Sequence, residues 1–119
     1  MNILYWDAIG GISGDMMTAA LLDAAPEAEE YMLGALKRLP LKEWQWQRQE
    51  AKKGSFRGKK IDYIAESRQP HRHLPEIEEI IRAAEFPDRV TERILKAFGI
   101  MAAAEAKAHG IDINEVHFH

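Results

Sequence analysis

Three features of the sequence predict a small α+β protein, a two-layer sandwich with helices over one face of a mostly antiparallel sheet. Helical stretches, apolar at spacings of three and four, lie on both sides of a segment that alternates in period two and doubles back at a glycine turn. The order reads β-α-α-β-β-α-α with a further strand at the end, nearest a ferredoxin-like βαββα pattern with one extra helix. A chain of 119 residues suits a single domain spanning 1–119, with enough surface to bury for one core but not two.

The first strand is expected at Asn2–Trp6, a short apolar and aromatic run closed by Asp7 and the glycines at 10, 11 and 14. Met16–Ala24, rich in Met, Ala and Leu, reads as a helix that Ser13 or Asp15 is placed to cap. Pro26 ends it. A second helix starts there with Glu27, Glu29 and Glu30 in its first turn, where the helix dipole favours acids, and runs to about Arg38. Trp44-Gln45-Trp46-Gln47 alternates apolar and polar, and basic and polar residues continue the strand to Lys53. Gly54–Gly58 supplies a turn, and Lys60–Ala65 returns with Ile61, Tyr63 and Ala65 on one face.

Pro70–Pro75 reads as an extended linker, because the residue before a proline is pushed out of the helical region. Glu76–Ala84 is a helix with Ile77, Ile80 and Ile81 on one side. Pro87 suits a helix start, Val90–Ala108 is the longest helical stretch, and Gly110 suits its C-terminal cap. Asn114–His119 closes the chain as a strand.

Composition excludes several classes. With 16 basic and 19 acidic residues and a net charge of -3, the chain lacks the basic face of a nucleic-acid binder. No apolar run approaches the ~20 residues of a membrane span. No signal peptide is visible at the N-terminus, so a cytoplasmic location is expected. The chain has no cysteine, which removes disulfides, zinc thiolates and a cysteine nucleophile together. Any metal must be held by nitrogen and oxygen.

Two constellations carry chemistry. In Asp7-Ala8-Ile9-Gly10-Gly11-Ile12-Ser13-Gly14-Asp15, a glycine-rich turn leads from the expected strand into a helix. Such a turn brings backbone N–H groups close to a ligand, and the two flanking carboxylates suit a hard divalent cation. It matches neither phosphate-binding fingerprint, and the plain alternative is a tight turn with Asp15 as a cap. The second constellation is histidine. His71 with His73, and His117 with His119, are His-x-His pairs. In extended chain each pair projects to one side, about 6–7 Å apart, where two imidazoles can converge on one ion. Imidazole suits nickel, zinc, copper and iron alike. Phe118, on the opposite face, would anchor its strand in the core. His109 follows Glu105 by four and shares its helix face. The alternatives are a solvated loop for the first pair and a terminal tag for the second. A basic hairpin (Arg48, Lys52, Lys53, Arg57, Lys59, Lys60) suits a phosphate grip or, more simply, a charged sheet edge that resists aggregation.

Taken in order, Ile3–Asp7 running into Gly11-Ile12-Ser13-Gly14-Asp15-Met16, then His71-Arg72-His73, Ala104–Gly110 and Glu115-Val116-His117-Phe118-His119 resemble the LarC family of nickel-insertion proteins over the whole chain. The resemblance implies a CTP-dependent cyclometallase, a lyase-type activity that loads nickel into the pyridinium bis-thiocarboxylate mononucleotide, the pincer cofactor of lactate racemase. Manganese or magnesium would assist with CTP. Family members run well beyond this length, so the chain resembles their N-terminal portion, with a C-terminal portion as partner and CTP bound there. A homo-oligomer is also expected. Carried over residue by residue, Asp7 and Asp15 become candidate catalytic groups and Gly11, Ser13 and Gly14 candidate cofactor contacts. His71, His73, Glu105, His109, His117 and His119 become candidate metal ligands. The competing readings are a nickel-delivery module without catalytic groups and an assembly domain whose loop and histidines only hold packing.

Overall fold

Helix formers, β-formers and punctuating glycines and prolines decide most of the local structure. The computed structural model describes residues 1, 3–65 and 70–118. Its elements are α1 (Gly14–Ala24), α2 (Glu29–Leu36), β1 (Trp44–Lys53), β2 (Phe56–Ala65), β3 (Arg72–His73), α3 (Leu74–Ala83), α4 (Asp88–His109) and β4 (His117–Phe118). A 3-10 turn at Pro26–Ala28 precedes α2 and another at Ile113–Glu115 precedes β4. The α+β class holds. The strands form two two-stranded sheets, β1-β2 and β3-β4, where a ferredoxin-like arrangement would join them in one. The chain divides into two compact units: Met1–Glu29 with Trp44–Ile64, and Glu30–Glu43 with Ala65–His119.

The first unit is built on α1 and the β1-β2 hairpin. The turn is only Gly54–Ser55, with Gly54 at φ 61, so β2 starts at Phe56, four residues before the expected Lys60. Gln49 donates to Asp62 at 2.7 Å and Lys59 pairs with Glu50 across the strands. On the same face as Lys59 and Glu50, Trp46 and Tyr63 stand 6.1 Å apart, ring to ring. Ile61 is the largest fully buried side chain, and Ala19 and Leu22 of α1 are buried too. Arg48 pairs with Glu29.

The expected first strand is not formed. Ile3–Trp6 is irregular, with Ile3 79% and Tyr5 82% exposed. Asn2 lies outside the described residues. A β-forming run becomes a strand only where another strand offers it an edge, and both described sheets pair other segments.

In the second unit α3 packs on α4. Ile77, Ile81 and Ala84 are buried along one side of α3 and its C-terminal end, and Ala102 is buried on α4. Arg38, beyond α2, donates to the Glu85 carbonyl at 3.1 Å and lies 5.2 Å over the Phe86 ring, fastening α2 to the α3–α4 turn. Helix α4 ends as expected at Gly110, whose φ of 67 is the left-handed cap conformation. Two expectations for this unit shift. Pro70–Pro75 is more than a linker, since Arg72–His73 forms β3 and α3 begins at Leu74, with Pro75 in its first turn. The final strand begins at His117 and not at Asn114, because Asp112 caps the Ile113–Glu115 turn by accepting from the Asn114 N–H at 2.8 Å.

Candidate functional site

Strand β4 runs antiparallel to β3, with Arg72 opposite Phe118 and His73 opposite His117. Alternation then sorts the side chains. Phe118 turns inward and meets Phe98 of α4 edge-on, centroids 5.6 Å apart, the anchoring expected of it. Buried Val116 packs on the same side. His117 is exposed on the other face, its ring 5.4 Å from His71 and 6.4 Å from His73. Three of the four paired histidines therefore gather on one patch. His119 lies outside the described residues.

The spacing has a chemical meaning. With metal–nitrogen bonds of about 2.0–2.1 Å, two imidazoles on one ion have centroids about 4.5 Å apart in a square plane and about 5 Å apart in a tetrahedron. His71 and His117 stand close to that range, while the His73–His117 pair, at 6.4 Å, reaches it only if one of the two rings turns. Among the described residues, no group of three or more His, Asp or Glu side chains is already arranged to hold a metal ion.

His73 is held from two directions. Its backbone N–H donates to the Glu76 carboxylate at 2.7 Å, fixing the start of α3. Its ring Nδ1 lies 3.1 Å from the Val116 carbonyl oxygen. Beside these strands a groove of 710 Å³ is lined by Met101, Glu105, His109, Ile111, His117 and Phe118, among others. Glu105 and His109 meet across one helical turn, Oε2 to Nε2, at 3.2 Å. Glu105, His109 and His117, from different parts of the sequence, thus share one cavity.

The aspartate loop belongs to the other unit. Asp7 is exposed in irregular chain. The Gly11 N–H donates to the Ala8 carbonyl at 3.0 Å, closing a turn that needs the φ of 86 at Gly11. Ser13 stands at the N-cap of α1, but its hydroxyl donates to the Asp15 carboxylate and caps no backbone N–H. That hydroxyl, more than the Met16 backbone N–H, holds the Asp15 carboxyl below its ordinary range, against a smaller opposing effect of desolvation. Gly14, Asp15 and Thr18 border a 590 Å³ depression with Ile61, Asp62 and Tyr63. Asp62 has no part in any motif, and only the hairpin register brings it here. Lys60, bonded to it at 2.8 Å, and then Gln49 lower its carboxyl in turn. Three of the six basic residues of the hairpin, Arg48, Lys59 and Lys60, are each paired to an acid of the same unit.

The fold and the patch define an α+β protein that presents imidazoles from two opposed strands beside a largely apolar groove that also holds Glu105 and His109. The profile of the nickel insertion protein family matches residues 4–119, and the chain belongs to that family. It is 38% identical to a pyridinium-3,5-bisthiocarboxylic acid mononucleotide nickel insertion protein of Geobacillus kaustophilus, covering 100% of this chain and 31% of that protein. A protein of the same name from Desulfitobacterium hafniense is 39% identical over 100% of this chain and 29% of its own length. A third, from Staphylococcus epidermidis, is 36% identical over 98% of this chain and 29% of its own. The chain thus spans less than a third of the length of these curated relatives. No solved structure matches it.

Proposed function

We propose that this chain is the N-terminal portion of an enzyme that inserts nickel into a pyridinium bis-thiocarboxylate mononucleotide, and that its share of the work is to hold the nickel. Nickel is cargo in this reading. The observation that carries it is the gathering of His71, His73 and His117 on the face of the β3-β4 pair, with Glu105 and His109 lining the groove beside His117. Nitrogen donors with a carboxylate nearby suit nickel in a chain without cysteine. The groove, apolar at Met101, Ile111 and Phe118 and charged at Glu105, suits a flat cationic ring. CTP with manganese or magnesium belongs, in this reading, to the C-terminal portion of a cytoplasmic homo-oligomer, and the product is the pincer cofactor of lactate racemase. Asp7 and Asp15, with Gly11, Ser13 and Gly14, form a second candidate region for the mononucleotide.

A delivery module without catalytic groups is the second reading. It is favoured by Asp15, whose carboxylate is already engaged by Ser13 and so is poorly free to act on a substrate.

The test is nickel titration calorimetry on the chain and on a His71→Ala/His117→Ala variant. Stoichiometric binding is expected at pH 8, lost in the variant and weakened as the imidazoles protonate. Binding that the variant retains in full would sink the assignment of the site. Nickel transfer by this chain to the mononucleotide without the C-terminal portion would decide against the delivery reading.

A further inference from the structure

One contact of His73 bears on which of its ring nitrogens carries the proton. The Val116 carbonyl oxygen, 3.1 Å from Nδ1, can only accept a hydrogen bond. The contact is therefore a hydrogen bond only when Nδ1 is protonated. In the neutral ring the lone pair is then on Nε2. Free neutral histidine side chains favour the opposite tautomer, so this arrangement is imposed by the protein. A histidine that binds metal through one nitrogen and gives the other N–H to a backbone carbonyl has its ring oriented and its basicity raised.

The acceptor's location adds a second consequence. Val116 immediately precedes β4, and His73 stands opposite His117 in the register. The carbonyl that fixes His73 and the strand that presents His117 are thus one piece of chain. Val116 is itself buried, and the backbone N–H of His73 is tied to Glu76, so both ends of the contact are held independently of any metal.

We propose that His73 is a nickel ligand through Nε2, with its tautomer set by the Val116 carbonyl, and that nickel binding and the docking of β4 on β3 are one coupled event. This rests on the reading that the histidine patch handles nickel. It requires the His117 ring to turn about its own side-chain torsions toward the ion at Nε2 of His73, closing the 6.4 Å between their centroids while the Nδ1–Val116 contact is kept.

The experiment is long-range proton–nitrogen correlation of the histidine rings in the metal-free 119-residue chain at pH 8. It is repeated with Zn(II) as a diamagnetic probe, and Ni(II) calorimetry is run on the same sample. The expected result is an Nδ1–H pattern for His73 without metal, a shift confined to its Nε2 with Zn(II), and slowed amide exchange at Phe118 in the bound form. An Nε2–H pattern for His73, with Ni(II) still bound in the calorimeter, overturns this proposal and leaves the nickel reading standing. An Nδ1–H pattern with no binding of either ion overturns both, and reduces the contact to a structural hydrogen bond.

Discussion

Replacing Phe118 by alanine tests whether the inward face of β4 is what holds the histidine patch together. Truncating a fully buried phenylalanine costs about 3–5 kcal/mol. Phe118 is only half-buried, so about half of that, near 2 kcal/mol, is expected. The edge-on pair with Phe98 accounts for about 0.5–1.5 kcal/mol of it. Strand β4 has just two residues in the ladder, so this loss falls mainly on its docking. At about 1.4 kcal/mol per factor of ten, 2 kcal/mol shifts that equilibrium about thirtyfold. Apparent nickel affinity scales with the docked fraction and weakens by up to the same factor. Urea unfolding and nickel calorimetry on Phe118→Ala and Phe98→Ala read the two effects separately. Phe118→Leu, which keeps most of the apolar contact, should recover most of both. Unchanged urea midpoint and nickel affinity in Phe118→Ala would refute the claim that this ring anchors the strand.

Two further outcomes concern the other unit. Ile61→Ala should cost about 2–4 kcal/mol, because Ile61 is 1% exposed and the hairpin cannot collapse far into the space; a urea midpoint within error of the parent would contradict its place in the core. Ser13→Ala removes the main cause of the lowered Asp15 carboxyl, so carboxyl titration by NMR should find Asp15 nearer its ordinary value with Asp62 unmoved. The sign follows from linkage: a depressed carboxyl stabilises the fold above its unfolded-state value, and that contribution is lost as pH falls through the lower folded-state value. The variant should therefore lose less stability in acid than the parent, and an Asp15 titration identical in both would remove Ser13 as the cause.

Most helices and the hairpin were legible in the sequence because their signals are local. Pro87 and Gly110 bracket α4, Ile77 and Ile81 mark the buried stripe of α3, and the Trp44–Gln47 alternation marks β1. Ile3–Trp6 misled for a physical reason: strand propensity reports a fit to a pleated surface, and the neighbour that supplies that surface is not encoded in the run itself. Pro70–Pro75 misled in the opposite sense, since extended residues before a proline look the same in a linker and in a strand whose partner lies far along the chain. For the site, the His-x-His spacing indicated which rings share a face, and the resemblance supplied their number. Neither indicated that His71 and His73 would meet His117, which follows from a ladder between distant segments. The Val116 carbonyl was invisible, because a backbone group has no residue type to signal it. Asp62 was missed because only the register of the hairpin puts it beside Asp15.

The β3-β4 pair also orders events in time. Its two strands are separated by the whole of α3 and α4, and closing a loop of that length costs about 3 kcal/mol in chain entropy before any contact repays it. A ladder of two residues per strand cannot meet that cost alone. The helical hairpin must form first and bring the strands within reach. During synthesis His71 and His73 therefore leave the ribosome long before they have a partner. A chain interrupted within α4 would carry two of the imidazoles without the strand that faces them, so on the proposed nickel reading capture of the metal would report that the helices have already folded.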